Sequence, residues 1–334
     1  MAESRHIPVL VAEVIAGLRP EPGEVYVDAT AGDGGHAAAM AVSMGGRGMG
    51  AGGTPAPQDP GDVAVAMGGV VVLNDLDPSR LEFARARVEA ACANEGVAPP
   101  RLVHMHGNFA SLADRITAVG LRANMVLADL GFSSAQMGDS SRGLSFDRDG
   151  PLDMRLDPTS PVSAADLVRD LPEDELARII REYGEERFAR GVAGKIAAAR
   201  VSRPIMTTLE LAEVVRSAIP RATWGRIDPA TRTFQALRIA VNDELGNLSA
   251  LLASVGRAAV RVKSGEATWL APGARVAIIS FHSLEDRLVK RSFADLASRG
   301  LAGTPTRAIR AGDEEVTCNP RARSATLRVL TLVG

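Results

Sequence analysis

The residues with the clearest chemical potential lie in one glycine-rich turn near the start of the chain. The apolar run 25–28 ends in an acid, and Gly32, Gly34 and Gly35 follow it closely. A buried strand that passes through glycines into a helix is typical of a cofactor-binding turn, because residues without a Cβ atom let the backbone approach a ligand. The same pattern also fits a tight turn without a ligand.

Two classes of cofactor fit this turn. Gly32, Gly34 and Ala37 match the loose dinucleotide pattern G-x-G-x-x-A, which expects an acid about 20 residues later to hold ribose hydroxyls. The acid that ends the next predicted strand is Asp75, about 40 residues after the glycines, but removing most of residues 43–69 restores the usual interval. The spacing therefore leaves open whether a nicotinamide dinucleotide or S-adenosylmethionine binds, since both contain adenosine.

Polar residues also follow two later strands. Asp129 ends the predicted strand 125–129, and His282 follows the predicted strand 275–280. The carboxyl ends of parallel strands meet at one edge of a sheet, so a carboxylate and an imidazole could serve the same cleft as proton acceptors. Phe281 could line that cleft, or it could belong to the core while His282 caps the next helix.

Composition limits the class of protein. The chain has 334 residues, of which 46% are hydrophobic and 23% charged, and its net charge is −2. These values predict a globular protein of one large or two medium domains. Two distant cysteines, and a His104/His106 pair without a third ligand, predict neither disulfides nor a metal site. We also expect a cytoplasmic protein, because the sequence shows no membrane span and no signal peptide.

The elements that must position these residues alternate between strand and helix in the first third. The predicted strands there are 25–28, 70–74, 102–106 and 125–129, and helices are predicted at 36–44 and 78–94. Such alternation predicts a parallel α/β sheet with right-handed crossovers.

The rest of the chain changes character twice. Residues 43–69 contain nine glycines and no usable periodicity, which predicts a flexible surface insertion. From about 160 to 255 the pattern is almost entirely helical, with a capping-box spacing at residues 207–210. Strand patterns return at 275–280 and 325–332. The sequence therefore predicts an α/β domain interrupted by a helical one.

Long blocks of sequence resemble a known family. The blocks are residues 6–10, 28–36 (Asp-Ala-Thr-Ala-Gly-Asp-Gly-Gly-His), 75–78, 129–134, 142–146, 149–155, 229–239, 280–287 and 319–324. In this order they are similar to the bacterial small-subunit ribosomal RNA cytosine-N4 methyltransferase family, type H. Residues 43–69 have no counterpart in that pattern.

The resemblance implies a fold, an activity and a partner. The fold would be a Rossmann-like methyltransferase sheet formed by residues 1–137 and 241–334, with an inserted all-helical domain at 138–240 on the substrate side. The activity would be S-adenosylmethionine-dependent methylation of a cytidine N4 amine in the decoding region. The partner would be small-subunit ribosomal RNA within the assembled subunit, and no membrane would be involved.

The resemblance also implies a set of site residues. The residues expected to contact the cofactor are Gly34, Gly35, His36, Asp75 (on the ribose), Phe109, Asp129 and Gln136. We expect Asp129 to serve the cofactor, to accept a hydrogen bond from the reacting amine, or both. His282 is the second catalytic candidate, as a phosphate ligand or a proton shuttle.

Overall fold

The computed structural model describes residues 7–45, 69–132, 134–225 and 227–334. Contacts divide the chain into two units, one comprising Met1–Gly131 with Gly246–Gly334 and the other Phe132–Leu245. The family resemblance implied borders after residues 137 and 240. Most of the predicted insertion 43–69 lies outside the described residues, although its first residues end a helix.

The first unit, which we call the sheet unit, contains six strands. They are β1 (Val25–Asp28), β2 (Val70–Asp75), β3 (Arg101–His106), β4 (Ala123–Asp129), β5 (Leu270–Ser280) and β6 (Thr326–Thr331). Their order in the sheet is β3-β2-β1-β4-β5-β6, and all pairs except β5–β6 are parallel. The chain order reverses between β1 and β4, which makes their carboxyl edge the usual ligand crevice of an open α/β sheet. The predicted Rossmann-like α/β class is confirmed.

The last strand runs against the other five. Thr326 pairs with Ser280, so β6 begins at the carboxyl edge where β5 ends. The chain reaches that edge because residues 302–309 run beside β6, forming bridges from Ala302 to Leu332 and from Ile309 to Leu327. A strand that starts there can only return antiparallel. The parallel arrangement predicted from the first third of the chain holds for β1 to β4, and no direction had been predicted for this last strand.

The helices follow in chain order. They are α1 (Val11–Leu18), α2 (Gly35–Met44), α3 (Pro78–Glu95), α4 (Leu112–Ala118), α5 (Ser134–Gly138), α6 (Ala164–Asp170), α7 (Glu173–Gly184), α8 (Ala189–Ser202), α9 (Thr208–Ala218), α10 (Ala230–Asn242), α11 (Glu244–Lys263), α12 (Ser283–Ser298) and α13 (Asp313–Cys318). Within the described residues, no helix has the length and apolar character needed to cross a bilayer.

Two hydrophobic cores fix the sheet between layers of helices. Helices α1, α2 and α3 pack on one face, around fully buried side chains such as Tyr26 and Met40. Helices α4, α11 and α12 pack on the other face, around Ile116, Val255 and Phe293. Each such side chain contributes about 1.5–3 kcal/mol relative to exposure, so the strands are held rigidly and their carboxyl ends form a fixed platform.

The second unit, the helical unit, has a separate core. Its described residues form helices α5 to α10 and short 3₁₀ turns, without a strand. The ring centroids of Phe146 and Phe234 lie 4.6 Å apart within it. The predicted capping box is present: the Thr207 hydroxyl accepts from the Glu210 N–H, and the Glu210 carboxylate accepts from the Thr207 N–H. These reciprocal bonds satisfy backbone donors that a helix start leaves unpaired, which explains why α9 begins there.

Candidate active site

The glycine-rich turn connects β1 to α2 at the carboxyl edge. Gly34 has a φ of +75°, and a Cβ atom there would lie 2.5 Å from the Ala84 Cα of α3. A Cβ atom on Gly35 would lie 2.8 Å from the Pro8 ring. These two glycines are therefore required by packing on both sides of the turn. Gly32 differs, because its Cβ would meet only the Thr30 carbonyl oxygen, at 3.9 Å.

Asp75, at the end of β2, holds this turn in place. Its Oδ2 accepts from the Gly32 N–H at 2.8 Å, and its Oδ1 accepts from the Asp77 N–H at 2.9 Å. Burial raises the pKa of Asp75, while these two N–H groups lower it. The carboxylate is only partly buried, and each of its oxygens has further acceptor capacity. Asp75 can thus fix the turn and still accept from ribose hydroxyls.

Asp33 provides a second attachment of the turn. Arg80 on α3 donates from Nη1 to Asp33 Oδ1 at 2.7 Å, and both side chains are about one-fifth exposed (21% and 18%). Because α3 starts with Asp77 as its N-cap and Pro78 as its first residue, the register that places Arg80 beside the turn is set locally.

Asp129 ends β4, beside the turn. Its N–H donates to the Thr30 hydroxyl at 2.8 Å, and its Oδ1 is buried without a hydrogen-bond partner among the described residues. Burial raises the pKa of Asp129 to about 7; the charge of Arg321 opposes that rise and the charge of Glu285 adds to it. A carboxyl group that exchanges its proton near neutral pH and has a free acceptor atom suits proton transfer.

His36 faces Asp129 from the first turn of α2. Its Nδ1 lies 3.6 Å from Asp129 Oδ2, and its Nε2 lies 2.8 Å from the Val9 carbonyl oxygen. Because a carbonyl only accepts, Nε2 carries the proton in the neutral ring, and Nδ1 presents its lone pair to Asp129. Burial lowers the pKa of His36, opposed by the Asp28 carboxylate and the bond to Val9. At neutral pH the ring is therefore an acceptor.

Residues 7–10, which we call the N-terminal strap, fix the His36 ring. The Asn319 side chain donates from Nδ2 to the Ile7 carbonyl oxygen at 2.9 Å, and Glu315 Oε1 accepts from the Leu10 N–H at 2.7 Å. Leu10 has a φ of +55°, a conformation that costs a non-glycine residue roughly 1–2 kcal/mol. These contacts with the 313–319 segment hold the strap, and Val9 with it, against the turn.

Asp28 lies beneath the site and was not among the predicted site residues. It is 1% exposed and accepts from the Tyr26 hydroxyl and from the Thr30 N–H, both at 3.2 Å. Burial raises the pKa of Asp28 to about 6, opposed by His36 and the Thr30 N–H. Its position at the end of a buried strand was visible in the sequence. Its proximity to His36 depends on how the turn folds.

His282 follows β5 at the same edge of the sheet unit. Its Nε2 lies 3.3 Å from Glu285 Oε1, and Glu285 Oε2 accepts from the Phe281 N–H at 2.9 Å. Glu285 is only 2% exposed, so a buried carboxylate orients this turn. Phe281 packs partly buried against the α1–α3 core, as in the core alternative considered above. Glu285 was not predicted, although an acid three residues into a helix is a recognisable signal.

The remaining predicted residues differ in their placement. Phe109 starts the 3₁₀ turn after β3 and packs partly buried on the α4–α12 core. Gln136 lies on α5 in the helical unit, so its role toward the cofactor stays a prediction. Arg238 in the helical unit donates from Nε to Glu244 Oε1 at 2.7 Å. Together the sheet unit brings the glycine turn, His36, Asp75 and Asp129 to one edge.

This fold is that of an open α/β sheet, and its glycine turn lies at the switch between β1 and β4, where enzymes of this class usually bind a nucleotide cofactor. The sequence model of the MraW methylase family matches residues 3–47 and 66–333. The ribosomal RNA small subunit methyltransferase H of Geobacter sulfurreducens is 43% identical over 344 residues, covering 97% of each chain. The protein of the same name from Sorangium cellulosum is 42% identical, covering 99% of this chain and 91% of its own.

The chain belongs to the MraW methylase family. This membership confirms the predicted methyltransferase class and S-adenosylmethionine as the methyl donor, and it sets the nicotinamide alternative aside. Residues 48–65 lie between the two matched stretches. Among solved structures, TrmN from Thermus thermophilus is 13% identical to this chain, with a TM-score of 0.35. The match covers 97% of this chain and 48% of the TrmN chain.

Proposed function

We propose that this methyltransferase transfers a methyl group to the N4 amine of a cytidine in the decoding region of small-subunit ribosomal RNA. Its curated relatives carry the name ribosomal RNA small subunit methyltransferase H, which supports ribosomal RNA as the substrate. The quoted sequence blocks support the cytosine N4 atom. The observation that carries the proposal is the free carboxyl oxygen of Asp129 beside the glycine turn. The assembled small subunit, in the cytoplasm, is the proposed substrate form.

The residues of the turn fit S-adenosylmethionine. Open space beside Gly32 leaves room for a ligand, and the partly exposed Asp75 carboxylate can accept from ribose hydroxyls. When bound, the cofactor supplies a methyl group already activated by a sulfonium, so no metal is needed for the displacement. The task left to the protein is alignment, which can account for a large part of the rate. Gly34 and Gly35 contribute to this alignment, because they allow the turn to pack between α3 and the N-terminal strap.

Asp129 can compensate for the weak nucleophilicity of the cytosine amine. The N4 lone pair is delocalised into the ring, and a hydrogen bond from N4–H to a carboxylate localises it as the amine attacks. Asp129 Oδ1 has no donor among the described residues, so it is available for that bond. Methyl transfer would release one N4 proton, and Asp129 Oδ1 would accept it as the amine attacks. Asp129 is suited to accept this proton, because its pKa of about 7 lies near neutral pH.

His36 can hold the protonated form of Asp129. Its Nδ1 lone pair lies 3.6 Å from Asp129 Oδ2, and a small rotation of either side chain would let the protonated carboxyl donate to it. Because burial lowers the pKa of His36 and raises the pKa of Asp129 to about 7, the carboxyl keeps the proton. We propose His282, which follows β5, as the second catalytic candidate. Glu285 would orient its ring, because Glu285 Oε1 lies 3.3 Å from His282 Nε2.

The helical unit is the proposed substrate-side domain. Its loop 149–160 is well anchored: Arg155 donates to Asp153 Oδ2 at 2.6 Å and to the Ser160 carbonyl oxygen at 2.7 Å. The Asp149 carboxylate accepts from the Leu209 N–H at 3.2 Å, joining this loop to α9. An ordered loop of this kind can present a fixed surface to RNA, and Gln136 on α5 is proposed to complete the cofactor pocket.

The test is methyl transfer to small subunits from cells that lack this protein. Wild-type protein with labelled S-adenosylmethionine should label one cytidine, which mass spectrometry of nuclease fragments locates. Asp129→Asn should lower kcat by about 10²–10⁴-fold and remove the rise in kcat around pH 7. The control is Asp147→Asn, the same change at an exposed aspartate, which should leave kcat and its rise around pH 7 unchanged. Label on another base, or full turnover by Asp129→Asn, would refute the proposal.

A further inference from the structure

A basic surface lies on the face of the sheet unit covered by α4, α11 and α12. Two cavities open there, one of about 420 Å³ beside α4 and the end of α11, the other of about 520 Å³ along the groove between α11 and α12. Arg257 lines both cavities, so they form one continuous feature. We call it the α11–α12 surface.

Arginine dominates the charged lining of this surface. The lining arginines are Arg122, Arg257, Arg261, Arg291 and Arg299, and the lining acids are Asp114 and Asp295. Arg261 pairs with Glu266 at 3.2 Å, and Arg299 pairs with Asp295 at 3.0 Å. In the part of the chain that the structure describes, the other three arginines have no hydrogen-bond or ion-pair partner. The chain as a whole carries a net charge of −2, so this excess is local.

The arginines are arranged along a groove. Arg257 and Arg261 are four residues apart and therefore share one face of α11. Arg291 lies on α12 and Arg299 directly follows that helix, about 12 Å further along its axis at roughly 1.5 Å per residue. Small residues such as Gly256 form part of the lining between the two rows. A shallow channel flanked by guanidinium groups is complementary to a phosphate backbone, which arginine binds in bidentate fashion.

This surface is remote from the reacting base. Arg122 immediately precedes β4, whereas Asp129 ends it. Six steps along a parallel strand at roughly 3.3 Å each separate the two ends by about 20 Å. Arg122 therefore cannot contact the nucleotide whose amine faces Asp129, and Arg257 lines the same cavity as Arg122. A ligand here must be another part of a large substrate.

We propose that the α11–α12 surface binds the sugar-phosphate backbone of the RNA substrate at a place distant from the methylated cytidine. The inference rests on the proposed function only in that the substrate is RNA. Such contacts set position and affinity without reading sequence, so they should contribute to KM and not to kcat.

The double variant Arg257→Gln/Arg291→Gln tests this, because both side chains are exposed and removing their charge breaks no described bond. The matched control is Arg19→Gln/Arg101→Gln, two exposed arginines on other parts of the sheet unit. Binding of protein-free small-subunit ribosomal RNA and of assembled subunits is measured at several salt concentrations. Melting temperature and S-adenosylmethionine affinity are recorded for every variant.

We expect the test variant to bind both RNA and subunits about 10-fold more weakly near 0.1 M salt, with a log–log salt slope shallower by about 1.5 for two lost phosphate contacts. KM should rise similarly while kcat and cofactor affinity stay unchanged. Equal binding by test and control variants would overturn the inference. Weaker binding to assembled subunits alone would also overturn it and assign the surface to a ribosomal protein. Failure of the proposed function is separate: the wild-type enzyme would then not methylate a cytidine N4.

Discussion

Replacing Asp129 with asparagine should stabilise the protein at alkaline pH while it removes activity. The pKa of Asp129 is about 7 in the folded protein, because burial disfavours its charge. An unfolded aspartate titrates near 3.8. The folded state thus binds more protons than the unfolded state between these values, so stability falls as pH rises through this window and the loss is complete above the folded pKa.

The magnitude follows from the shift. About three pKa units at roughly 1.36 kcal/mol each correspond to about 4 kcal/mol at pH 8, as an upper bound. At pH 5 the titration of Asp129 has lowered the free energy of unfolding of the wild-type protein by only about 1.7 kcal/mol, because the carboxyl of the folded state is still protonated. Asp129→Asn, which carries no charge at either pH, should therefore gain roughly 2–3 kcal/mol more over the wild type at pH 8 than at pH 5. Asp28 also has a raised pKa, but it is present in both proteins, so its contribution to the pH dependence of stability largely cancels in the comparison.

Urea unfolding at the two pH values measures this difference. Asp147→Asn, at an exposed aspartate, is the control and should show no such dependence on pH. A gain of the same size at pH 5 and pH 8 would mean that Asp129 does not titrate in this window. A loss of stability at pH 8 would mean that the carboxylate is held by donors that the structure does not show, and the proposed acceptor role would fall with it.

Two other predictions concern the support of the glycine turn. Gly34→Ala should lower the free energy of unfolding by about 2–4 kcal/mol and abolish S-adenosylmethionine binding, because its Cβ would lie 2.5 Å from the α3 backbone. The control is Gly96→Ala, at a glycine with a similar positive φ but open space around it, which should lower the free energy of unfolding by only about 1 kcal/mol. Urea denaturation compares the two, and equal costs would contradict the packing role of Gly34. Asn319→Ala should weaken cofactor binding about 3- to 10-fold by releasing the N-terminal strap, and Asn319→Asp, which retains the size but not the donor, should not restore it. Calorimetry with S-adenosylmethionine measures both variants, and unchanged affinity would show that the strap does not govern the turn.

Much of the fold could be predicted because its signals are local. Residues 25–28 and 125–129 are apolar runs that end in an acid, and both form strands with Asp28 and Asp129 at the carboxyl edge. Thr207 and Glu210 fix the start of a helix by bonds within four residues. Such features need no knowledge of the rest of the chain.

The parts that escaped prediction depend on contacts between distant residues. The direction of β6 is set by the path of residues 299–325, which carries no periodic pattern. The bond from Asn319 to Ile7 joins residues 312 positions apart. The proximity of Glu285 to Asp129 arises only when β4 and β5 meet at one edge, and that of Asp28 to His36 depends on how the glycine turn folds. Spacing identified the acids without showing which of them would share an electrostatic environment.

The contacts of the N-terminal strap have a consequence for biosynthesis. Residues 7–10 leave the ribosome early, but the side chains that hold them, Glu315 and Asn319, are made more than 300 residues later. A nascent chain can form β1 and the glycine turn long before His36 acquires its final orientation. We therefore expect full methyl-donor affinity only once nearly all of the polypeptide has been translated.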